Sequence, residues 1–434
     1  MTQELTGATQ DAVTHYDLGC HQLRCLIGDP VASVDAALAA APDFVMAHAL
    51  RAYLHLLGTE PAGIAVARDQ LAMASGLSAT ASERAHLAAI GHLVDGRWHQ
   101  AGRVLEDLTI DNPLDALALQ VGHQVDFFTG NARMLRDRIA RALPAWDSSM
   151  PGYHAVLGMH AFGLEETGDY AQAEAQGRLG VALQPRDTWA QHAVAHVLEM
   201  QGRTADGITW MTANPAQWSD DSFFSVHNWW HLALYHLENG DTEQVLALYD
   251  GPIRGGQSSI VLEMIDASAM LWRLSLRGVD VGDRWAPLAD QWAAFVDAGN
   301  YAFNDAHAMM AFVGAGRDAA AARLLAVQAE AMARTDDNAA FTRDVGNPVT
   351  RAIQVFGRGD HATVIDLLRP VRSIANRFGG SHAQRDLLDL TLLESALRSD
   401  QRGLAKALSA ERLAAKPTSP LATLFARRSG LRAH

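Results

Sequence analysis

The chain has 434 residues, 49% hydrophobic and 19% charged, which is apolar enough for a large core and too weakly charged for a disordered chain. A formal net charge of −14, from 49 acids against 35 bases, disfavours a phosphate backbone, and no basic run stands out, so a nucleic-acid partner is not expected. No stretch is apolar for long enough to span a bilayer, so no membrane partner is expected either.

The first residues, MTQELTGATQ, are polar and lack the basic and apolar regions of a secretory leader, and the expected compartment is the cytoplasm. Cys20 and Cys25 lie on a predicted helix. Five residues apart, they do not share a face well, and they are expected to be ordinary thiols.

Further along, glycines recur at a fixed interval. Gly58, Gly96, Gly130, Gly168, Gly202, Gly240, Gly278 and Gly316 follow one another at 34 or 38 residues. The residues around them repeat as well. Val94-Asp95-Gly96-Arg97-Trp98 is followed by Ala101 and Pro113. Thr167-Gly168-Asp169-Tyr170-Ala171-Gln172-Ala173 runs on through Ala182-Leu183 to Pro185, and Glu238-Asn239-Gly240-Asp241 repeats the turn. Glycine ends the first helix, an aromatic packs in the pair, small alanines let helices approach, and proline closes the unit. Two helices of about a dozen residues fill such a period, as in tetratricopeptide repeats. Gly359 comes 43 residues after Gly316, so residues 317–434 should be less regular. No alternating β-branched run competes. The expected fold is all-α: one domain over 1–434, a solenoid of about nine or ten helix pairs wound into a compact superhelix. Lys416-Pro417-Thr418-Ser419-Pro420 reads as a short break before a final helix.

In such repeats the first helix of each pair lines the concave groove. His192, His196 and Glu199 lie 10, 6 and 3 residues before Gly202. His227 and His231 lie 13 and 9 before Gly240. Each histidine pair is spaced i, i+4, hence on one helical face. Three readings stay open: imidazoles satisfied structurally, an acid–base or ligand site, or a metal held by His192, His196, His227 and His231. The His-Glu-x-x-His order of zinc proteases is absent. Trp229 and Trp230 point in different directions, one into the core and one toward a pocket. Asn304-Asp305-Ala306-His307 opens a helix that Asn or Asp would cap, which leaves His307 unexplained. Arg343-Asp344-Val345-Gly346 reads as a local ion pair or part of a site. In Gly379–Asp386 a flexible turn leads into a helix start whose amides can receive an anion.

These segments, with Phe162-Gly163-Leu164, Arg136-Asp137 and Leu413-Ala414-Ala415-Lys416-Pro417, resemble the tetratricopeptide repeat protein 38 family from about residue 30 onward; residues 1–30 fall outside the clear match. The resemblance implies an α-helical solenoid and carries no assigned reaction. Tetratricopeptide domains that clamp chaperone carboxylates resemble one another in using Lys, Asn and Arg on the groove. Histidines and carboxylates stand there instead, which disfavours such a clamp.

The expected function is therefore an internal pocket for a small polar molecule, with cofactor-free hydrolysis or elimination by histidine. Catalytic candidates are His192, His196, His227, His231, Asp305 and His307. Substrate-binding candidates are Glu199, Asn228, Trp230, Asn304, Arg343, Asp344 and Arg385. Asp305 or Glu199 would orient an imidazole, and Arg343 or Arg385 would hold a carboxylate or oxyanion. Asp305, His307 and Arg343 are expected to converge on the histidines across a central cavity. No cofactor is expected. The alternative is a non-catalytic scaffold for a protein partner on the concave groove. The sequence leaves a homo-oligomer open.

Overall fold

The computed structural model describes residues 5–431, and every regular element among them is helical apart from one isolated bridge between Ile27 and Ser222. Each predicted turn glycine separates two helices. Gly168 stands between Tyr153–Glu166 and Tyr170–Leu183, and Gly240 between Ser225–Glu238 and Thr242–Leu248. From Gly96 to Gly359 these glycines all take positive φ, as a left-handed helix end requires. At the first turn Thr59 takes that conformation, with φ 56°, in place of Gly58. The residue after the glycine then often caps the next helix. Asn131, Asp169, Asp241 and Asp360 each accept the N–H of the third residue onward.

The array extends one pair beyond the glycine-marked turns on each side. Gln10–Cys25 pairs with Pro30–Ala40 through Leu26 and Gly28, both at positive φ. His382–Arg398 pairs with Arg402–Ala415 through Asp400, at φ 54°. After Gly316 the period lengthens because the short helix Asp337–Phe341, a wide turn at Thr342–Gly346 and a tight one at Arg372–Phe378 are inserted. The final helix, Pro420–Ser429, follows the Lys416-Pro417 break.

Packing divides the chain into two compact units, 1–194 with 215–225, and 195–214 with 226–434. In the first, Tyr16, Phe44, Leu50, Tyr53, Ile90 and Leu105 belong to one buried cluster. A buried ion pair stands beside this apolar packing: Arg138 Nε lies 2.7 Å from Asp126 Oδ2. In the second, Trp272 Nε1 donates to Thr391 Oγ1 at 3.0 Å and Trp292 Nε1 to Ser268 Oγ at 2.9 Å, so these two buried indoles keep their hydrogen bonds.

Small residues set how near helices come. In the first unit a Cβ on Gly163 would lie 2.5 Å from the Leu135 carbonyl and the Arg136 nitrogen, which are backbone atoms that cannot step aside. A Cβ on Gly168 would meet nothing within 4 Å, so only its left-handed φ of 88° would object. Gly163→Ala should therefore cost about 1–3 kcal/mol through forced backbone shifts, and Gly168→Ala about 1 kcal/mol. Urea unfolding of the two variants checks the order. A smaller loss in Gly163→Ala would refute the close-approach argument.

Candidate functional site

Helix Thr188–Met200 passes into the second unit after Val194, and its second half presents His196 and Glu199. Helix Ser225–Glu238 presents His227, Trp230 and His231. Helix Val261–Leu276 supplies Asp266 and Arg273. One ligating nitrogen each from His196, His227 and His231 lies within 4.8 Å of the others. The rings meet edge to face, His196 to His231 at 4.4 Å and His227 to His231 at 4.9 Å between centroids.

Two carboxylates orient these rings. His231 Nδ1 stands 3.2 Å from Glu199 Oε2, and His227 Nδ1 stands 2.9 Å from Asp266 Oδ2. A carboxylate only accepts, so Nδ1 is the donor in both of these rings. His196 and His231 are fully buried. Burial first, and then the neighbouring His231, holds His196 well below the ordinary histidine pKa. Burial, His227 and Arg273 do the same to His231. Both imidazoles are therefore uncharged at neutral pH. Trp230 is buried, stacks on His227 at 5.4 Å, and has the Arg273 guanidinium 5.2 Å from its ring centre.

The other candidates have neighbours of their own. His192 lies one turn before His196 and belongs to the first unit, where its ring stacks on Phe162 at 5.4 Å and meets Phe224 edge-on at 5.1 Å. Asn228 is buried on the helix of His227. Asn304 and Asp305 are not caps: they fall inside helix Ala302–Gly314, and the Ala302 N–H is met by Asn338 Oδ1 at 2.9 Å. Asp305 turns to Gln328, whose Nε2 donates to it at 3.1 Å and to Thr350 at 3.0 Å. His307 Nδ1 donates to the Phe303 carbonyl, and burial pulls this histidine down to about 4. Arg343 and Asp344 form a loose pair at 3.7 Å with the arginine side chain 57% exposed, and Arg377 also reaches Asp344. Arg385 bonds the Gly380 carbonyl. Two of the amides expected to receive an anion are engaged within the turn, since Ser381 and Gln384 cap each other's backbone N–H.

Asp266 and Arg273 were not singled out from sequence. Both are buried charges in the largely apolar helix Val261–Leu276, and that contrast was the available signal. In the first unit His21, Cys25 and His154 also bring one ligating atom each within 4.8 Å. Asp187 holds His154 Nδ1 at 2.7 Å there. Burial pushes the Cys25 thiol up to about 12, which keeps it protonated and unreactive.

No family model matches the chain. Among solved structures it is similar to one titled "Crystal Structure of the Yeast Tom70", at 13% identity and a TM-score of 0.33, with 98% of this chain and 89% of that one covered. The helical-repeat class rests on the helices and turns described above. No helix among the described residues is long and apolar enough to cross a membrane.

Asp305 gives a stability test. Burial pushes its carboxyl from 3.8 up to about 7, so between those values the folded state holds a proton that the unfolded state releases. Stability should therefore fall as pH rises through that window, by a few kcal/mol at about 1.4 kcal/mol per unit. Asp305→Asn, which has no charge to bury, should flatten the decline and melt higher than wild type at pH 8. Parallel thermal-melting curves for the two proteins from pH 5 to pH 8 would refute this.

Proposed function

We propose that the second unit holds a divalent transition-metal ion of the zinc class on His196, His227 and His231, and acts there on a small polar molecule. The carrying observation is the meeting of the three ring nitrogens within 4.8 Å, with carboxylates on Nδ1 of two of the rings. Tetrahedral ligands about 2.0–2.1 Å from zinc stand about 3.3 Å apart, so a modest closure of the rings would complete the site. Outer carboxylates on ligating histidines are the usual arrangement, because they fix the tautomer and strengthen the donor.

Basicity separates this from the cofactor-free chemistry expected from sequence. A general base works best with a pKa near the working pH, and His196 and His231 lie well below it. A metal ligand, in contrast, must be neutral to coordinate. Three protein ligands with a remaining position for water form the pattern of catalytic zinc, whose bound water ionises near neutrality. Hydrolysis of a small polar substrate follows as the reaction class. A cytoplasmic setting and membership of the tetratricopeptide repeat protein 38 family are part of the same proposal. The alternative, an interaction scaffold, draws on the helical-repeat architecture alone.

The test is cobalt titration of the chelator-stripped chain, with Cys25→Ser as background to silence the first-unit cluster. Tetrahedral cobalt gives a visible absorption band, and one equivalent should bind. His231→Ala should remove the band while helical circular dichroism stays. Glu199→Gln should weaken binding by about 10–100-fold. Absence of the band in the parent chain, or equal binding in His231→Ala, would put the scaffold reading ahead.

A further inference from the structure

Beside the histidines, and within the same unit, lies a cavity of about 50 Å³. At about 10–15 Å³ per water it has room for about three to five water-sized groups. Four of its lining residues are cations: Arg273, Arg277, Arg412 and Lys416. Three are acids: Glu199, Glu238 and Asp386. The formal balance is one positive charge in excess, at a place where burial first, and then the neighbouring Arg412 and Arg273, pull the Arg277 guanidinium down to about 10.

The acids are already engaged. Asp386 takes both terminal nitrogens of Arg412, at 2.7 and 2.9 Å, and is held ionised by them. Glu238 accepts from Ser419 Oγ and from the Leu421 N–H. Glu199 gives one oxygen to His231 and leaves the other 3.9 Å from Lys416 Nζ, too long for a hydrogen bond. Two donors, in contrast, are left over. Nη2 of Arg277 and Nε of Arg412 are buried and make no hydrogen bond among the described residues. Lys416 belongs to the Leu413–Pro417 motif and is 14% exposed. Buried donors without acceptors are costly, and a cavity whose lining residues carry two of them and a net positive charge suits a small oxyanion.

We infer that this cavity receives the carboxylate of a small organic acid, held by Arg277, Arg412 and Lys416. One carboxylate matches both the single excess charge and the volume, whereas a phosphate dianion would overshoot the charge. The anchoring role therefore falls to these cations and not to Arg343, which is largely exposed. Glu199 joins the two sites, since it touches His231 on one side and faces Lys416 on the other. That the substrate of the histidine centre is such an acid rests on the metal reading; the carboxylate subsite itself does not.

The experiment is calorimetric titration of the full, chelator-stripped chain with propionate, and separately with inorganic phosphate at matched ionic strength. Propionate should bind once per chain and more tightly than phosphate. Lys416→Gln should weaken propionate at least about tenfold, as loss of a charge-assisted contact implies. Lys416→Met, which keeps the apolar stem, should behave alike, and circular dichroism identifies whichever variant stays folded. No propionate binding, tighter phosphate binding, or unchanged affinity in both folded variants would overturn the inference. Cobalt binding without propionate binding sinks this inference alone. Propionate binding without cobalt binding sinks the metal reading alone.

Discussion

Close approach between helices is the constraint on which the packing depends. A helix pair buries one face of each member only if the backbones come near, and nearness needs positions with no side chain. Gly163 meets the backbone at Leu135 and Arg136, and in the second unit Gly207 lies where a Cβ would be 2.3 Å from the Tyr235 ring. Tyr235 in turn donates its hydroxyl to the Ala195 carbonyl at 2.6 Å, so the contact is both steric and polar. Where such positions are filled, the pair must part, and its neighbours lose the surface they stack against.

The second unit combines this apolar packing with an unusual load of polar groups. His196, His231, Arg273, Asp305 and His307 are all buried. Each is answered by a specific neighbour or by a changed protonation state. Asp305 tends to stay protonated beside Gln328, His307 is neutral against a carbonyl, and Arg273 lies over an indole and donates to the Ala383 carbonyl at 2.6 Å. Buried polar groups cost most when their partners fail to arrive together, so this interior defines one arrangement more sharply than an all-apolar one would.

How much of this was legible depended on the range of the interaction. The turns were readable because positive φ selects glycine, and the signal failed where Thr59, Leu26 or Asp400 adopted that conformation instead. The histidine pairs were readable because i, i+4 spacing is local. Their partners were not: Asp266 lies 39 residues from His227, and only packing selects it. The cap at Ala302 was misread for the same reason, since it comes from Asn338, 36 residues on, and not from Asn304 or Asp305. The cavity cations were missed because Arg277, Arg412 and Lys416 each look like an ordinary surface charge in its own helix.

The turn chemistry also bears on how the chain reaches its fold. A glycine closes one helix, the next residue caps the following one, and the pair then packs on itself, as Tyr153–Glu166 does on Tyr170–Leu183. Nearly all of that happens within some thirty residues of chain, so little loop entropy stands in the way of a first pair. Contact order is correspondingly low, and folding can begin at several points along the array and spread to neighbours. By the same argument the long-range polar partners, such as Asp266 for His227, should assemble last and the histidine centre should be the final part of its unit to order.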